Sequence, residues 1–246
     1  MSPRTIAVTG TSRGIGVAIA LELARRGFIV GCLARNGKIP EGDEAAQLNK
    51  QLIPVQCDVT DEAGLAKAFK QLAAQTGGID GLVNNAGIHM AGASRAFSTA
   101  DFDRILKVNT LAVFAACREI YPHLLARGGG TIINIGSFFA ELGAKGSTAY
   151  SASKAAVAAI TRCLAAEWGS KGISVLNIAP GYIETDINRD FLNNPATGGK
   201  MRERIFVGRP GRADEVARLI AAVLSERIDF LTGGTITIDG GQGISL

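Results

Sequence analysis

The stretch TGTSRGIG at residues 9–16 directly continues an apolar run, TIAVT, at residues 5–9. Its three glycines allow a sharp turn, because glycine adopts left-handed backbone conformations at little steric cost. A glycine turn between a strand and a helix also brings main-chain N–H groups and the positive end of the helix up to a pyrophosphate. A plain tight turn would use the same residues, so the rest of the chain has to decide between the two interpretations.

Short apolar runs alternate with longer stretches of helical periodicity after this turn. Seven strands are predicted, at residues 5–9, 28–33, 52–57, 81–84, 131–136, 173–178 and 235–239. Helices are predicted near residues 14–26, 61–75, 101–126, 149–169 and 213–225, where apolar residues recur at spacings of three and four residues. The alternation, and strands that are apolar throughout, predict a doubly wound α/β Rossmann fold: a seven-stranded parallel sheet with helices on both faces. Ligands of such sheets bind at the carboxyl ends of the strands.

Composition narrows the class of protein further. No linker or charge block divides the 246 residues, so we expect a single domain over residues 1–246. The net charge of +4 comes with no basic run and only 6% aromatic residues, so nucleic acid is not an expected partner. The chain has no apolar run of about 20 residues and no signal region, which predicts a cytoplasmic protein without a membrane span. The four cysteines are far apart in apolar settings, which predicts buried thiols and no metal site.

Five further motifs follow the glycine turn in order. They are NNAG at 84–87, Asn109 in KVNT, Ser137 in NIGS, YSASK at 150–154, and PG at 180–181 followed by Thr185. Together with the spacing TGxxxGIG, these motifs resemble the short-chain dehydrogenase/reductase family over nearly the whole chain. The length and the GIG of the turn are similar to its single-domain branch, which includes 3-oxoacyl-carrier-protein reductases. The resemblance implies a nicotinamide-dependent oxidoreductase that assembles as a homotetramer.

The resemblance also assigns residues to the cofactor. Asp58 matches the family position that meets the adenine, with Val59 beside it, although Asp58 could instead cap a helix. The expected cofactor-binding residues are Gly10, Thr11, Ser12, Arg13, Gly14, Ile15, Gly16, Arg35, Asp58, Val59, Asn85, Ala86, Gly87, Tyr150, Lys154, Pro180, Gly181, Ile183 and Thr185.

Two arginines indicate which dinucleotide binds. Enzymes that use NAD commonly hold the adenosine ribose with an acidic residue at the end of the second strand. In GCLARN that position is Ala34, and Arg35 follows it. Arg13 lies in the glycine turn and can reach the same place. Each arginine alone could be a solvated charge. Two arginines near position 34, where the acidic residue of NAD-dependent enzymes is absent, favour NADP(H), with NAD(H) as the alternative.

Tyr150 and Lys154 are four residues apart on a predicted helix, so both side chains project from one face. A phenol is a weak acid at neutral pH, and a neighbouring ammonium favours its phenolate form, which predicts that Lys154 lowers the pKa of Tyr150. By resemblance, Tyr150 transfers the proton, Ser137 orients the substrate carbonyl, and Lys154 binds the nicotinamide ribose. Asn109 is expected at a helix kink, holding a water that links the lysine to solvent.

These motifs predict hydride transfer between the nicotinamide and a ketone or secondary alcohol. A 3-oxoacyl thioester, free or bound to a carrier protein, is the first substrate expected. Cyclic ketones, sugars and other small carbonyls are the alternatives, and a non-catalytic NADP(H)-binding sensor or assembly subunit is an alternative of another class. A substrate lid is predicted at residues 186–208. His89, Phe138, Phe139 and Tyr182 could border the substrate or simply pack.

Overall fold

The computed structural model of the protein describes residues 3–185 and 195–244. The strands are β1 Thr5–Thr9, β2 Ile29–Ala34, β3 Leu52–Gln56, β4 Gly81–Asn84, β5 Gly130–Ile135, β6 Ile173–Pro180, β7 Ile183–Glu184, β8 Gly211–Arg212 and β9 Thr235–Ile238. Seven of them form a parallel sheet in the order β3-β2-β1-β4-β5-β6-β9, and β7 pairs separately with β8. The predicted seven-stranded parallel sheet is confirmed.

The helices lie between these strands. They are α1 Gly14–Arg25, α2 Asp43–Gln47, α3 Glu62–Thr76, α4 Thr99–Leu106, α5 Ala112–Ala126, α6 Thr148–Trp168, α7 Pro195–Arg202 and α8 Ala213–Glu226. The helix predicted over 101–126 is interrupted by a π-helical turn, Lys107–Leu111. The polar α2 and the glycine-containing α7 were not predicted, because neither has an apolar period. Residues 186–194 of the predicted lid lie outside the described residues.

Helices cover both faces of the sheet. On one face, Phe69 of α3, Ile120 of α5 and Val157 of α6 are fully buried against the strands. On the other face, Leu23 of α1 and Ile220 of α8 are fully buried in the same way. Burying one such side chain is worth about 2 kcal/mol, so the two layers make the sheet a rigid base for the loops at its edge. The doubly wound Rossmann fold is confirmed.

The chain changes direction at the centre of the sheet. From β1 it runs outward through β2 and β3, and it then crosses back to place β4 on the other side of β1. Val8 of β1 is in register with Cys32 of β2 and with Val83 of β4. The loops that leave β1 and β4 therefore separate at this point, which is where open α/β sheets bind their ligands.

Three of the four cysteines are buried as predicted, and Cys163 is not. Burial raises the pKa of Cys32 and Cys117 to about 12 and that of Cys57 to about 11, so these thiols stay protonated. Cys163 is exposed, because it lies on the side of α6 away from the buried Thr161, Leu164 and Ala165. Among the described residues, no helix is long and apolar enough to cross a membrane.

Candidate active site

The glycine turn after β1 is closely packed against the loop after β4. Gly10 and Gly14 have positive φ values of 74° and 59°, where other residues are strained. A Cβ on Gly16 would lie 2.1 Å from the carbonyl oxygen of Gly10. The Asn85 amide donates to the carbonyl oxygens of Thr9 and Gly10 at 3.0 and 3.1 Å. All three glycines are therefore needed for the turn to follow this path.

The amino end of α1 is open toward the turn. Among the described residues, no side chain caps this end, and the first turn of α1 contains no acidic residue. The N–H groups at such an end, together with the helix dipole, attract an anion. Thr11 is buried, whereas Ser12 and Arg13 are exposed. This glycine turn and uncapped helix fit a bound pyrophosphate.

The residues predicted to bind the adenosine follow β2 and β3. Arg35 directly follows β2, and Asp58 lies two residues beyond β3. Within the described ranges neither Arg13 nor Arg35 is in an ion pair, and both are exposed. Asp58 does not cap α3: its Oδ1 accepts from the N–H and hydroxyl of Thr60 at 2.9 and 2.8 Å. These two hydrogen bonds, helped by Arg35, lower the pKa of Asp58, so its carboxylate is ionised at neutral pH.

The loop after β4 joins the glycine turn to the polar centre of the site. The hydroxyl of Thr9 accepts from the N–H groups of Asn85 and Ala86, each at 3.0 Å. Further along, a Cβ on Gly87 would lie 3.3 Å from Asn109 Oδ1 and 3.7 Å from Lys154 Nζ. Gly87 therefore lets the loop pass close to both side chains.

Ser137, Tyr150 and Lys154 come together where β5 ends and α6 begins. The side chains of Tyr150 and Ser137 lie near each other, and Ser137 favours the ionised form of the Tyr150 phenol. Lys154 is only 4% exposed, its Nζ donates to the carbonyl oxygen of Ile135 at 2.6 Å, and the same atom lies 5.8 Å from the centre of the Tyr150 ring. Burial lowers the pKa of Lys154 to about 8.

The predicted lowering of the Tyr150 pKa by Lys154 is wrong for this structure. Burial raises the pKa of Tyr150, and the nearby Ser137 side chain only partly opposes that rise. The Lys154 ammonium does not lower this pKa, because its Nζ lies 5.8 Å from the centre of the Tyr150 ring and donates its hydrogen bond to the Ile135 carbonyl oxygen instead. In the protein alone, Tyr150 is therefore a protonated group that can donate a proton.

Asn109 occupies the π-helical turn between α4 and α5, which agrees with the expected kink. Its Oδ1 accepts from the Ile88 N–H, and its Nδ2 donates to the Ile88 carbonyl, both at 2.9 Å. The same Nδ2 donates to Ser153 Oγ at 3.1 Å, and Ser153 donates to the Tyr150 carbonyl oxygen at 2.6 Å. No sequence pattern indicated Ser153, because its importance comes from contacts between segments that are distant in the chain.

The residues after β6 complete the edge of the site. Pro180 ends β6, the Gly181 N–H donates to the Ile238 carbonyl oxygen, and Ile183 is buried in β7. A Cβ on Gly14 would lie 3.5 Å from Thr185 Cγ2, so this segment returns to the glycine turn. Residues predicted from six separate motifs thus lie together at the carboxyl edge of the sheet. A cofactor and substrate would occupy the space beside them, which we call the cleft.

This architecture defines a dinucleotide-binding α/β protein with a serine, tyrosine, lysine and asparagine beside the expected nicotinamide position. A family model described as enoyl-(acyl carrier protein) reductase matches residues 10–242. The chain belongs to the short-chain dehydrogenase/reductase family and is an oxidoreductase.

Similar proteins act on different substrates. A gluconate 5-dehydrogenase of Gluconobacter oxydans (strain 621H) is 32% identical, with 97% of this chain and 94% of that protein covered. A 3-oxoacyl-(acyl-carrier-protein) reductase of Escherichia coli (strain K12) is 34% identical, with coverage of 96% and 95%. The solved structure of a gluconate 5-dehydrogenase from Burkholderia cenocepacia J2315, in complex with NADP and tartrate, has a TM-score of 0.90 at 32% identity, with coverage of 100% and 97%.

Lys154 is expected to titrate near pH 8 in the cofactor-free protein, far below the value of 10.5 for an unperturbed lysine. Between these two pH values the unfolded chain holds a proton that the folded protein has lost. The free energy of unfolding should therefore rise with pH across this interval, relative to a Lys154→Met variant. Carbon-13 NMR of labelled lysine, assigned with the same variant, measures the midpoint directly. A midpoint near 10.5 would contradict the effect of burial.

Proposed function

We propose that the protein is an NADP(H)-dependent oxidoreductase that interconverts a ketone and a secondary alcohol. The observation that carries this proposal is the contact between Ser137 and Tyr150, with Lys154 buried beside them. Carbonyl reduction needs three groups close together: a proton donor, a hydroxyl that holds the carbonyl oxygen, and a cation that stabilises the negative charge. A non-catalytic dinucleotide sensor would have no chemical need for this arrangement.

The fit to the cofactor supports the same proposal. The glycine turn and the uncapped end of α1 would hold the pyrophosphate, and Asp58 with Val59 would border the adenine. Asn85, Ala86 and Gly87 would pass the adenosine ribose, and Lys154 would bind the nicotinamide ribose. Pro180, Gly181, Ile183 and Thr185 would border the nicotinamide. When bound, the nicotinamide ring supplies or accepts the hydride.

The side chains of this chain would control the proton and the charge. Ser137 would donate a hydrogen bond to the carbonyl oxygen and hold it beside the Tyr150 hydroxyl. As negative charge builds on that oxygen, Tyr150 would give it a proton, since the phenol is protonated in the free protein. The ammonium of Lys154 would stabilise the phenolate left behind. Asn109 would hold the loop at Ile88 and the start of α6 in place, and would position a water that links Lys154 to solvent.

The first substrate to test is a 3-oxoacyl thioester, because one similar protein is a 3-oxoacyl-(acyl-carrier-protein) reductase. Sugars are the alternative suggested by the gluconate dehydrogenases. The experiment is a panel of ketones that includes an acetoacetyl thioester and keto-sugars, followed by the loss of reduced-nicotinamide absorbance. No turnover of any ketone or of the matching alcohols would reject the proposed activity.

Arg13 and Arg35 are proposed to select NADP(H) over NAD(H). Both are exposed beside adjacent strands and neither forms an ion pair in the described ranges, so a 2′-phosphate could pair with them. Replacing both with serine should raise the KM for NADPH about 30-fold, the equivalent of two weakened charge-assisted contacts, and leave the KM for NADH within about twofold. Steady-state kinetics with both cofactors measures the change.

Arg218→Ser is the matched control for that double variant. Arg218 is an exposed arginine on α8, in a loose ion pair with Asp214 at 3.5 Å. Its loss should leave both KM values unchanged. A wild-type protein with a higher kcat/KM for NADH than for NADPH would contradict the proposed preference.

A homotetramer in the cytoplasm is also proposed. Three apolar side chains are exposed at the start and along the length of α5: Leu111 (62%), Phe114 (42%) and Leu125 (40%). Their spacings of three and eleven residues place them on one side of the helix. Exposed apolar side chains on one helix face favour burial against another copy. Light scattering of the purified protein should give the mass of four chains, whereas the mass of one chain would reject this assembly.

A further inference from the structure

Aromatic side chains form one wall beside Tyr150. The ring of Phe139 lies perpendicular to the rings of Tyr150 and Tyr182, with centroids 6.2 and 5.9 Å away. Phe138 stacks on Phe139 at 4.4 Å and meets Tyr182 at 5.4 Å. We call Phe138, Phe139 and Tyr182 the aromatic wall. Phe138 is buried, whereas Phe139 and Tyr182 are half-buried.

The aromatic wall is supported from behind. Tyr182 packs against Met201 and Ile205, which are both buried. Phe139 is further held by its own N–H, which donates to Ser137 Oγ at 3.2 Å. The serine that would orient the substrate carbonyl is therefore fixed to the wall by one hydrogen bond. A substituent attached to that carbonyl would begin next to apolar ring surface.

A polar group borders another part of the same tyrosine. The His89 ring meets the Tyr150 ring edge to face at 4.7 Å, and His89 Nε2 lies 3.3 Å from the hydroxyl of the buried Ser147. In the described part of the chain, the His89 and Phe139 rings both contact the Tyr150 ring and do not contact each other. Burial lowers the pKa of His89, so at neutral pH the free ring nitrogen can donate or accept one hydrogen bond.

We propose that the cleft recognises a ketone with a different group on each side of the carbonyl. On one side, a flat apolar group such as an aryl ring would pack against Phe139 and Tyr182. On the other side, a second hydrogen-bonding group, separated from the ketone carbon by one carbon, would lie at His89. This inference rests on the proposed function and narrows its substrate to 3-oxo esters or thioesters with an aryl or similar flat substituent. Phe139 and His89 act as specificity-determining residues. The aromatic wall supplies apolar contact and offset ring packing, and His89 supplies one polar contact.

Three ketones separate the two contacts. Ethyl 3-oxo-3-phenylpropanoate carries both groups, ethyl acetoacetate lacks the aryl ring, and propiophenone lacks the second carbonyl. The wild-type protein should have the highest kcat/KM for the first. Phe139→Ala should lower kcat/KM about tenfold for the two aryl ketones and less than threefold for ethyl acetoacetate. His89→Phe should lower it about fivefold for the two esters and less than twofold for propiophenone.

Two controls match these variants. Phe230→Ala removes a fully exposed phenylalanine before β9, at the amino-terminal edge of the sheet and away from the cleft. His123→Phe changes a half-buried histidine on α5 that contacts Phe69. Neither should change the order of the three ketones. Equal losses for all three ketones in Phe139→Ala or His89→Phe would show a structural role only and overturn the proposal.

A binding measurement separates the cleft from the reaction. Calorimetry on the NADP⁺-loaded protein with ethyl 3-oxo-3-phenylpropanoate, a pair that cannot exchange a hydride, should give a Kd about tenfold weaker for Phe139→Ala than for the wild type. The same weakening without turnover of any ketone would support the cleft and reject the proposed oxidoreduction. Turnover with a preference for ethyl acetoacetate or keto-sugars would leave the oxidoreduction standing and overturn the aryl-ketone proposal.

Discussion

Tyr150→Phe is expected to lower kcat about 10³-fold while leaving the Kd for NADP⁺ within about twofold of wild type. The substitution removes only the hydroxyl, which is the proposed proton donor and whose pKa is raised by burial. Its ring keeps the contacts with His89 and Phe139 at 4.7 and 6.2 Å, so the cleft keeps its shape. Steady-state kinetics with NADPH and the best ketone of the panel measures the loss, and calorimetry measures cofactor binding.

Tyr121→Phe is the matched control for that prediction. Tyr121 lies on α5, and its ring packs against Trp168 at 4.8 Å, apart from the cleft. It should keep kcat within about twofold. Undiminished turnover by the Tyr150→Phe variant would reject the proposed mechanism. A wild-type protein that binds NADP⁺ but turns over no ketone would favour the non-catalytic alternative.

Gly16→Ala is expected to weaken NADP⁺ binding roughly 100-fold and to lower the free energy of unfolding by about 2 kcal/mol. The added Cβ would lie 2.1 Å from the Gly10 carbonyl oxygen and 2.6 Å from Asn85 Nδ2. The first neighbour is backbone in the glycine turn, so relief requires the turn itself to move. Calorimetry measures the affinity, and urea denaturation measures the stability.

Gly169→Ala separates this effect from a general cost of replacing glycine. Gly169 follows the last residue of α6, and a Cβ there has no neighbouring atom within 4 Å. The control should bind NADP⁺ as wild type does and lose less than about 0.5 kcal/mol of stability. A Gly16→Ala variant with unchanged affinity would show that the turn does not hold the cofactor.

Strands β1, β2, β4 and β6 were predictable because each is a short apolar run buried on both faces. TIAVT and GLVN coincide with β1 and β4, and ISVLNI lies wholly within β6. The break at residues 107–111 was not predictable from periodicity, since KVNTL keeps a helical composition and the distortion follows from the buried contacts of Asn109. The resemblance to the family, and not the periodicity, predicted a kink there.

The candidate site was predictable only in part. Tyr150 and Lys154 share a helix face, and that follows from their spacing. The contacts of Ser147 with His89 and of Ser153 with Asn109 join segments far apart in the chain, so neither spacing nor composition indicates them. The direction of the Tyr150 pKa shift was mispredicted for a similar reason, because burial is a property of the assembled fold.

Four hydrogen bonds join the glycine turn to the loop after β4, and all of them involve Thr9, Gly10, Asn85 or Ala86. The two segments are 75 residues apart in sequence, yet neither can shift without breaking contacts in the other. For protein engineering, the transferable unit is therefore the pair and not the turn alone. A phosphate-binding turn grafted from a relative would keep its shape only if the receiving protein had an asparagine at position 85 and a side-chain hydroxyl at position 9.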